Sequence, residues 1–283
     1  MDEIRQVNLD LGSIASKLGV GIRRVAAFMA IGINAARSVT AESLVLDRTE
    51  TNFRFFRDEI DSKEVTEAAY EFRAWIQTNG LRELCTFLEH YLADMYICAA
   101  WLQLSDGGKV SSAATVPTLP KDFVRKGVTK KLELLEKEFG LTAPNSHFLA
   151  TFWDARNCLT HRLGFVGRED LPEGGDALVV RWLGFEMWIK LEGEEPRLLP
   201  LDLGEGIYAP NGGAVEVRVV ERKKEFRLGE RINLDAHELS EILVSAQQQC
   251  GALMQGVIKI AETKGITSPP PTDKPEQVGT KTS

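Results

Sequence analysis

Cysteine is scarce in this 283-residue chain. Four occur, at 85, 98, 158 and 250, with no CxxC pair and none grouped with histidine. That scatter excludes a finger-type zinc site and a disulfide framework, and it points to a reduced, cytoplasmic setting. Long apolar runs are also missing. The most apolar early stretch, Val25 to Ile33, is too short to cross a bilayer, and Tyr91 to Leu104 carries Asp94 and Gln103. The chain opens on Met1-Asp2-Glu3 with no long apolar core behind it, so neither a secretory signal nor a membrane partner is expected. Positive charge is in deficit. With 34 Lys and Arg against 41 Asp and Glu, the net charge is −7, which excludes a generally basic, DNA-coating surface. A local basic patch remains open. No cysteine–histidine cluster and no carboxylate cluster is present, so no metal and no other cofactor is expected.

What is present suits a globular protein with a sizeable core, at 43% hydrophobic and 27% charged. The first 160 residues read as helices. Val25, Phe28, Met29 and Ile33 recur at helical spacing within residues 22–37, and Phe53, Phe56, Ile60, Val65, Ala69, Phe72 and Ile76 do so within 51–78. Asn79-Gly80 predicts a left-handed cap ending that second helix, with a third over 81–104 folding back as an antiparallel hairpin. Residues 105–120 form a Gly- and Ser-containing loop closed by prolines, read as a disordered connection or a cover over a site. A basic helix is expected over 122–139, and Pro144-Asn145-Ser146 opens another that runs to about His161. Then the period changes. Residues 177–191, 214–220 and 225–234 read as strands of a small antiparallel sheet. Asp235 with Glu238 forms a capping box for a last long helix, and the tail is proline-rich and expected to be disordered.

The segment carrying chemistry is Phe152-Trp153-Asp154-Ala155-Arg156-Asn157-Cys158-Leu159-Thr160-His161. A guanidinium presents five donors in a fixed fork that suits phosphate, and a histidine exchanges protons near neutral pH. Here the segment resembles the HEPN superfamily, the higher eukaryote and prokaryote nucleotide-binding helical domains, whose signature is Arg, four to six residues, then His. Arg156 matches the arginine, Asn157 the frequent polar neighbour and His161 the histidine. The resemblance covers the motif helix specifically and the preceding helices in general style. It implies a HEPN-like helical bundle over 1–170. The strand-rich segment and the tail lie outside it, and with them the expected fold is mostly α (α+β), with a β-sheet insertion over 171–234, a helix over 235–265 packing back on the bundle, and a disordered tail over 266–283.

The resemblance further implies a metal-independent endoribonuclease, of the kind found in toxin–antitoxin and phage-defence systems. Its partners would be an RNA substrate, a second copy of the chain, and an antitoxin or regulatory protein. Attack by a ribose 2′-hydroxyl on the adjacent phosphorus would use His161 as general base or acid, Arg156 to stabilise the transition state, and Asn157 to orient His161 or bond the phosphate. Arg156 and His161 lie about 140° apart around one helix, so two copies across a two-fold axis aim them at one phosphate better than one copy does. Some toxins of this family carry a modifiable Tyr two residues after the histidine. Leu163 stands there, so that form of control is not expected.

A non-catalytic alternative stays open, in which the same helices form a nucleotide- or protein-binding module. In it Arg156 pairs with Asp154, Glu89 or Asp94, Asn157 bonds loop backbone, and His161 merely suits a helix C-terminus. Glu83, Glu89 and Asp94 read as solvated. The basic run over 121–131 could track an RNA backbone, Arg222-Lys223-Lys224 reads as a hairpin tip, and Trp182, Phe185 and Trp188 read as core.

Overall fold

Local chemistry sets where the long helices begin. Asp10, Asp61 and Asp235 each accept a hydrogen bond from the N–H three residues on, and the Glu64 and Glu238 carboxylates accept one from the backbone N–H of Asp61 and Asp235. In the computed structural model these caps open α1 (Leu11–Ala36), α2 (Ser62–Leu104) and α6 (Ala236–Thr263). The structure describes residues 4–5, 7–44, 60–111, 114–193, 195–199 and 212–266. The remaining elements are β1 (Ile4–Arg5), β2 (Val110–Ser111), α3 (Lys121–Arg125), α4 (Val128–Phe139), α5 (His147–His161), β3 (Ala177–Leu191), β4 (Arg197–Leu198) and β5 (Gly213–Arg227). The chain is mostly helical, with a three-stranded antiparallel sheet in the order β4-β3-β5 before the last helix. A second, two-stranded sheet joins β1 to β2, so part of the expected 105–120 loop is strand.

The expected hairpin of two helices meeting at Asn79-Gly80 does not form. α2 runs through that position without a break, and the hairpin partner is α1. Gly80 keeps helical backbone and is buried; a Cβ there would stand 2.2 Å from the Met29 sulfur. Likewise a Cβ at Gly21 would meet the Phe87 ring at 2.4 Å, and one at Gly32 would meet Ile76 at 2.4 Å. These three contacts pair positions whose numbers sum to 108 or 109, the mark of one antiparallel register. Gly80 is therefore a slot for the α1 side chains, not a stop. Thr78 and Asn79 also bond back to the carbonyls of Ala74 and Trp75, which keeps the helix running. Phe53 and Phe56 of the expected helix lie outside the described residues, as does the tail from 267.

α1 is longer than the Val25–Ile33 run implied, and by length and composition it is apolar enough to span a bilayer. Its Ile14, Leu18, Ile22, Val25 and Met29 are buried, and it packs against α2 and α6 as a core helix does. The expected basic helix over 122–139 is broken at Lys126-Gly127 into α3 and α4. The two expected strands over 214–234 are one strand ending at Arg227, so Arg222-Lys223-Lys224 sits mid-strand opposite Trp182, Arg181 and Val180.

One hydrophobic core runs through the molecule. Leu178, Val180, Trp182 and Phe226 from the ribbon join Leu88, Leu92, Phe148, Phe152, Ile242 and Leu253 from the helices. The strand β3 meets them by its edge. The N–H groups of Arg181, Leu183 and Phe185 point away from β5 and are accepted by Thr151 Oγ1 (3.0 Å), Ser245 Oγ (3.0 Å) and Glu241 Oε1 (3.1 Å). Glu241, 5% exposed, also takes the Trp182 indole N–H at 2.8 Å and the Arg222 guanidinium at 3.1 Å. A Cβ at Gly184 would collide with Arg222 and Glu241, which is why glycine stands there.

Truncating this anchor leaves buried donors unmet. Glu241→Ala should lower unfolding stability by about 2–4 kcal/mol, because it leaves the Trp182 indole and Phe185 backbone N–H donors unmet and removes the partner of the part-exposed Arg222 guanidinium. Ser245→Ala should lower it by about 1–3 kcal/mol. Urea unfolding followed by circular dichroism measures both. Equal, near-zero losses would contradict the edge-anchoring role.

Candidate functional site

α5 carries the motif because its other faces are used for packing. Phe148, Leu149, Phe152, Ala155, Cys158 and Leu159 are buried, which leaves Asp154, Asn157 and His161 on an outer face at i, i+3 and i+7. These three line an open cleft of about 370 Å³, whose far wall is Arg162, Glu169 and Asp170 from the turn after the helix. Thus the structure brings Asn157 and His161 into one cleft. It does not bring Arg156 with them.

Arg156 lies on the neighbouring face of α5. Its Nη1 donates to Asn157 Oδ1 at 3.0 Å, and among the described residues no carboxylate stands within ion-pair distance of it. The alternative pairings with Asp154, Glu89 or Asp94 are not made. Glu89 is bound instead to the buried ammonium of Lys131 at 3.0 Å, Glu83 to Arg24 at 2.8 Å, and Asp94 lines a separate pocket with Asp10 and Lys17. Asn157 bonds the guanidinium, not loop backbone. Its amide nitrogen makes no hydrogen bond among the described residues. His161 is exposed as the last residue of α5.

The arginine that does line the cleft is Arg162, and it is spent on carboxylates. Its Nε donates to Asp170 Oδ2 at 2.6 Å, its Nη2 contacts Asp170 Oδ1, and its Nη1 lies 3.3 Å from Glu169. Burial pushes the Asp170 carboxyl up, but the Arg162 hydrogen bonds and the Gly167 N–H (2.8 Å) outweigh it and hold the carboxyl below its ordinary range. Asp154 is exposed by surface area, yet its carboxyl is raised, first by the desolvating cleft walls and then by the charge of Asp170. Three carboxylates therefore face one guanidinium across this cleft. Phosphate entering one copy alone meets net negative charge.

The turn closing the cleft is unusual. Leu163 takes left-handed backbone (φ 55°) and is 75% exposed, and Phe165 beyond it is half exposed under the Arg231 guanidinium. Cys158 beneath the motif is buried, and desolvation pushes its thiol up to about 12, so it is no nucleophile. The basic run over 121–131 is not a continuous track, since Lys130 pairs with Glu133 and Lys131 with Glu89. Trp182 is core, as expected, while Trp188 is half-buried with Arg218 stacked 4.5 Å above its ring. Asp154, Arg162, Glu169 and Asp170 are cleft residues that the motif alone did not mark. The signal for Asp154 was its i, i+3, i+7 spacing with Asn157 and His161; the other three are placed by the turn. No protein-family profile, curated protein or solved structure matches this chain.

The Arg162–Asp170 pair should make stability fall in acid. A carboxyl lowered by folding contributes stability above its unfolded value, near 3.8, and loses it as pH drops through the folded value. Asp170→Asn should therefore cost about 1–3 kcal/mol at pH 7 and flatten the acid limb of the stability curve. Thermal melts from pH 7 to pH 3 check this. An unchanged acid limb would contradict it.

Proposed function

We propose that this chain is a metal-independent endoribonuclease of the HEPN type, working as a two-fold pair in the cytoplasm, in a toxin or phage-defence setting. The observation that carries the reading is the state of Arg156: a guanidinium free of carboxylate partners among the described residues, tethered through Asn157 to the cleft that holds His161. The cleft of one copy is too acidic for phosphate and lacks Arg156, so a second copy must contribute charge. Leu163 and Phe165, exposed at the rim, offer apolar surface for that contact.

In this reading the substrate's 2′-oxygen bonds to the adjacent phosphorus as the bond to the 5′-oxygen breaks. A 2′,3′-cyclic phosphate and a 5′-hydroxyl result. His161 takes the 2′ proton, or returns one to the leaving oxygen. Arg156 neutralises the extra charge on the five-coordinate phosphorus, while Asn157 holds the guanidinium through its carbonyl and offers its amide to a phosphate oxygen. A second reading, a non-catalytic binding module partnered by a regulatory protein, is favoured by one feature: the carboxylates of Asp154, Glu169 and Asp170 around His161 repel polyanions.

Incubation of purified protein with RNA in EDTA distinguishes the two. Cleavage ending in 2′,3′-cyclic phosphate is expected, reduced about 10²–10⁴-fold by His161→Ala or by Arg156→Ala. Asn157→Ala should give a smaller loss. Equal activity from wild type and variants, or none from any, would sink the nuclease reading and leave the binding module.

A further inference from the structure

The far half of the β-ribbon leaves the core and exposes apolar surface. Val215, Val217 and Val219 on β5 are 60%, 58% and 55% exposed, on the same face as their cross-strand partners Ile189, which is buried, and Met187 and Phe185, which are half-buried. β5 has β3 on one side and, among the described residues, no strand on the other. Its outer edge is open in a definite pattern. Arg181, Leu183 and Phe185 send their N–H groups away from β5, so their partners Lys223, Glu221 and Val219 face outward in turn. By the two-residue period, Val217 and Val215 do too. A 15-residue edge of outward amides and exposed valines is a template for another strand.

We propose that this edge pairs with the same edge of a second copy, antiparallel about a two-fold axis through Val217. The segment Val215-Glu216-Val217-Arg218-Val219 is complementary to itself reversed. With the axis at 217, Val215 faces the partner's Val219 and Val217 faces the partner's Val217, each pair exchanging two backbone hydrogen bonds. On the opposite face Glu216 meets the partner's Arg218. Within one copy these two already pair at 2.9 Å, and Arg218 is held over Trp188, so the charges are presented in place. Moving the axis by one residue, to 216 or 218, sets Glu216 against Glu216 or Arg218 against Arg218. Charge thus selects one register. The contact is independent of the nuclease reading: Val217 pairs with Met187, about 33 Å along the strand from Ala177 and the cleft end of the ribbon. It would link copies without joining their clefts.

Sedimentation of the full chain over a concentration series tests this. Glu216→Arg and Arg218→Glu should each weaken association roughly ten-fold, since two attractive cross-strand pairs become repulsive. An equimolar mixture of the two variants should regain wild-type association, because opposite charges again face each other. Circular dichroism confirms that each variant keeps its strands. Val217→Cys, placed on the axis, should cross-link to its copy under mild oxidant. Variants that associate like wild type, a mixture no tighter than its components, or a Val217→Cys chain that stays uncrosslinked would each overturn the proposal.

Discussion

Backbone amides at a sheet edge must be bonded to something, and in this chain the inner edge of β3 is bonded to helices. Thr151 of α5, with Ser245 and Glu241 of α6, take the three successive outward N–H groups that a fourth strand would otherwise take. Everything downstream depends on that substitution. It orients the ribbon against the bundle, buries Trp182 and Phe226 in the common core, and holds α5 and α6 at fixed rotation about their own axes. At Met187 the arrangement changes hands, and the short β4 supplies the partner from there. The other edge of β3 is taken along its whole length by β5. That leaves β5 as the outermost strand, with no strand on its far side among the described residues.

The rotation of α5 matters for the motif. Thr151 is fixed to the strand at the start of the helix, and ten residues on, about 15 Å along the axis, His161 emerges at its end. Because Phe152, Ala155, Cys158 and Leu159 face inward, Asp154, Asn157 and His161 are forced to share the outer face, and Arg156 is forced off it. The division between Arg156 and His161 is thus a property of the packing. So is the division of labour between the two arginines: Arg162 organises the turn through Asp170, and Arg156 meets no carboxylate among the described residues.

Much of the fold was legible locally. The Asp235–Glu238 capping box, the span of β3 to the residue, the end of α5 and the last helix all follow from side chains within a few positions of the element they define, whereas the box at Asp61 and Glu64, inside the expected 51–78 helix, was passed over. Gly80 misled because a glycine after an asparagine reads as a cap when its true partner, Met29, is 51 residues away. The basic triplet at 222–224 misled for a similar reason. Arg222 and Lys224 pair with Glu241 and Glu238 of a helix that lies next in sequence but whose position only the assembled sheet sets.

By itself, the sequence determined the start of the last helix, the strand that carries Trp182 and the end of α5, and it singled out Arg156, Asn157 and His161 as the residues on which the proposed function rests. These are short-range properties of composition and period. Only the tertiary structure decided that α1 is the hairpin partner of α2, and that His161 opens into a cleft walled by carboxylates. It alone decided that Arg156 stands outside that cleft and that a row of exposed valines lies on a strand whose far side meets no other strand among the described residues. Each of those outcomes turns on which faces are consumed in burying one core, a choice made by residues far apart in the chain.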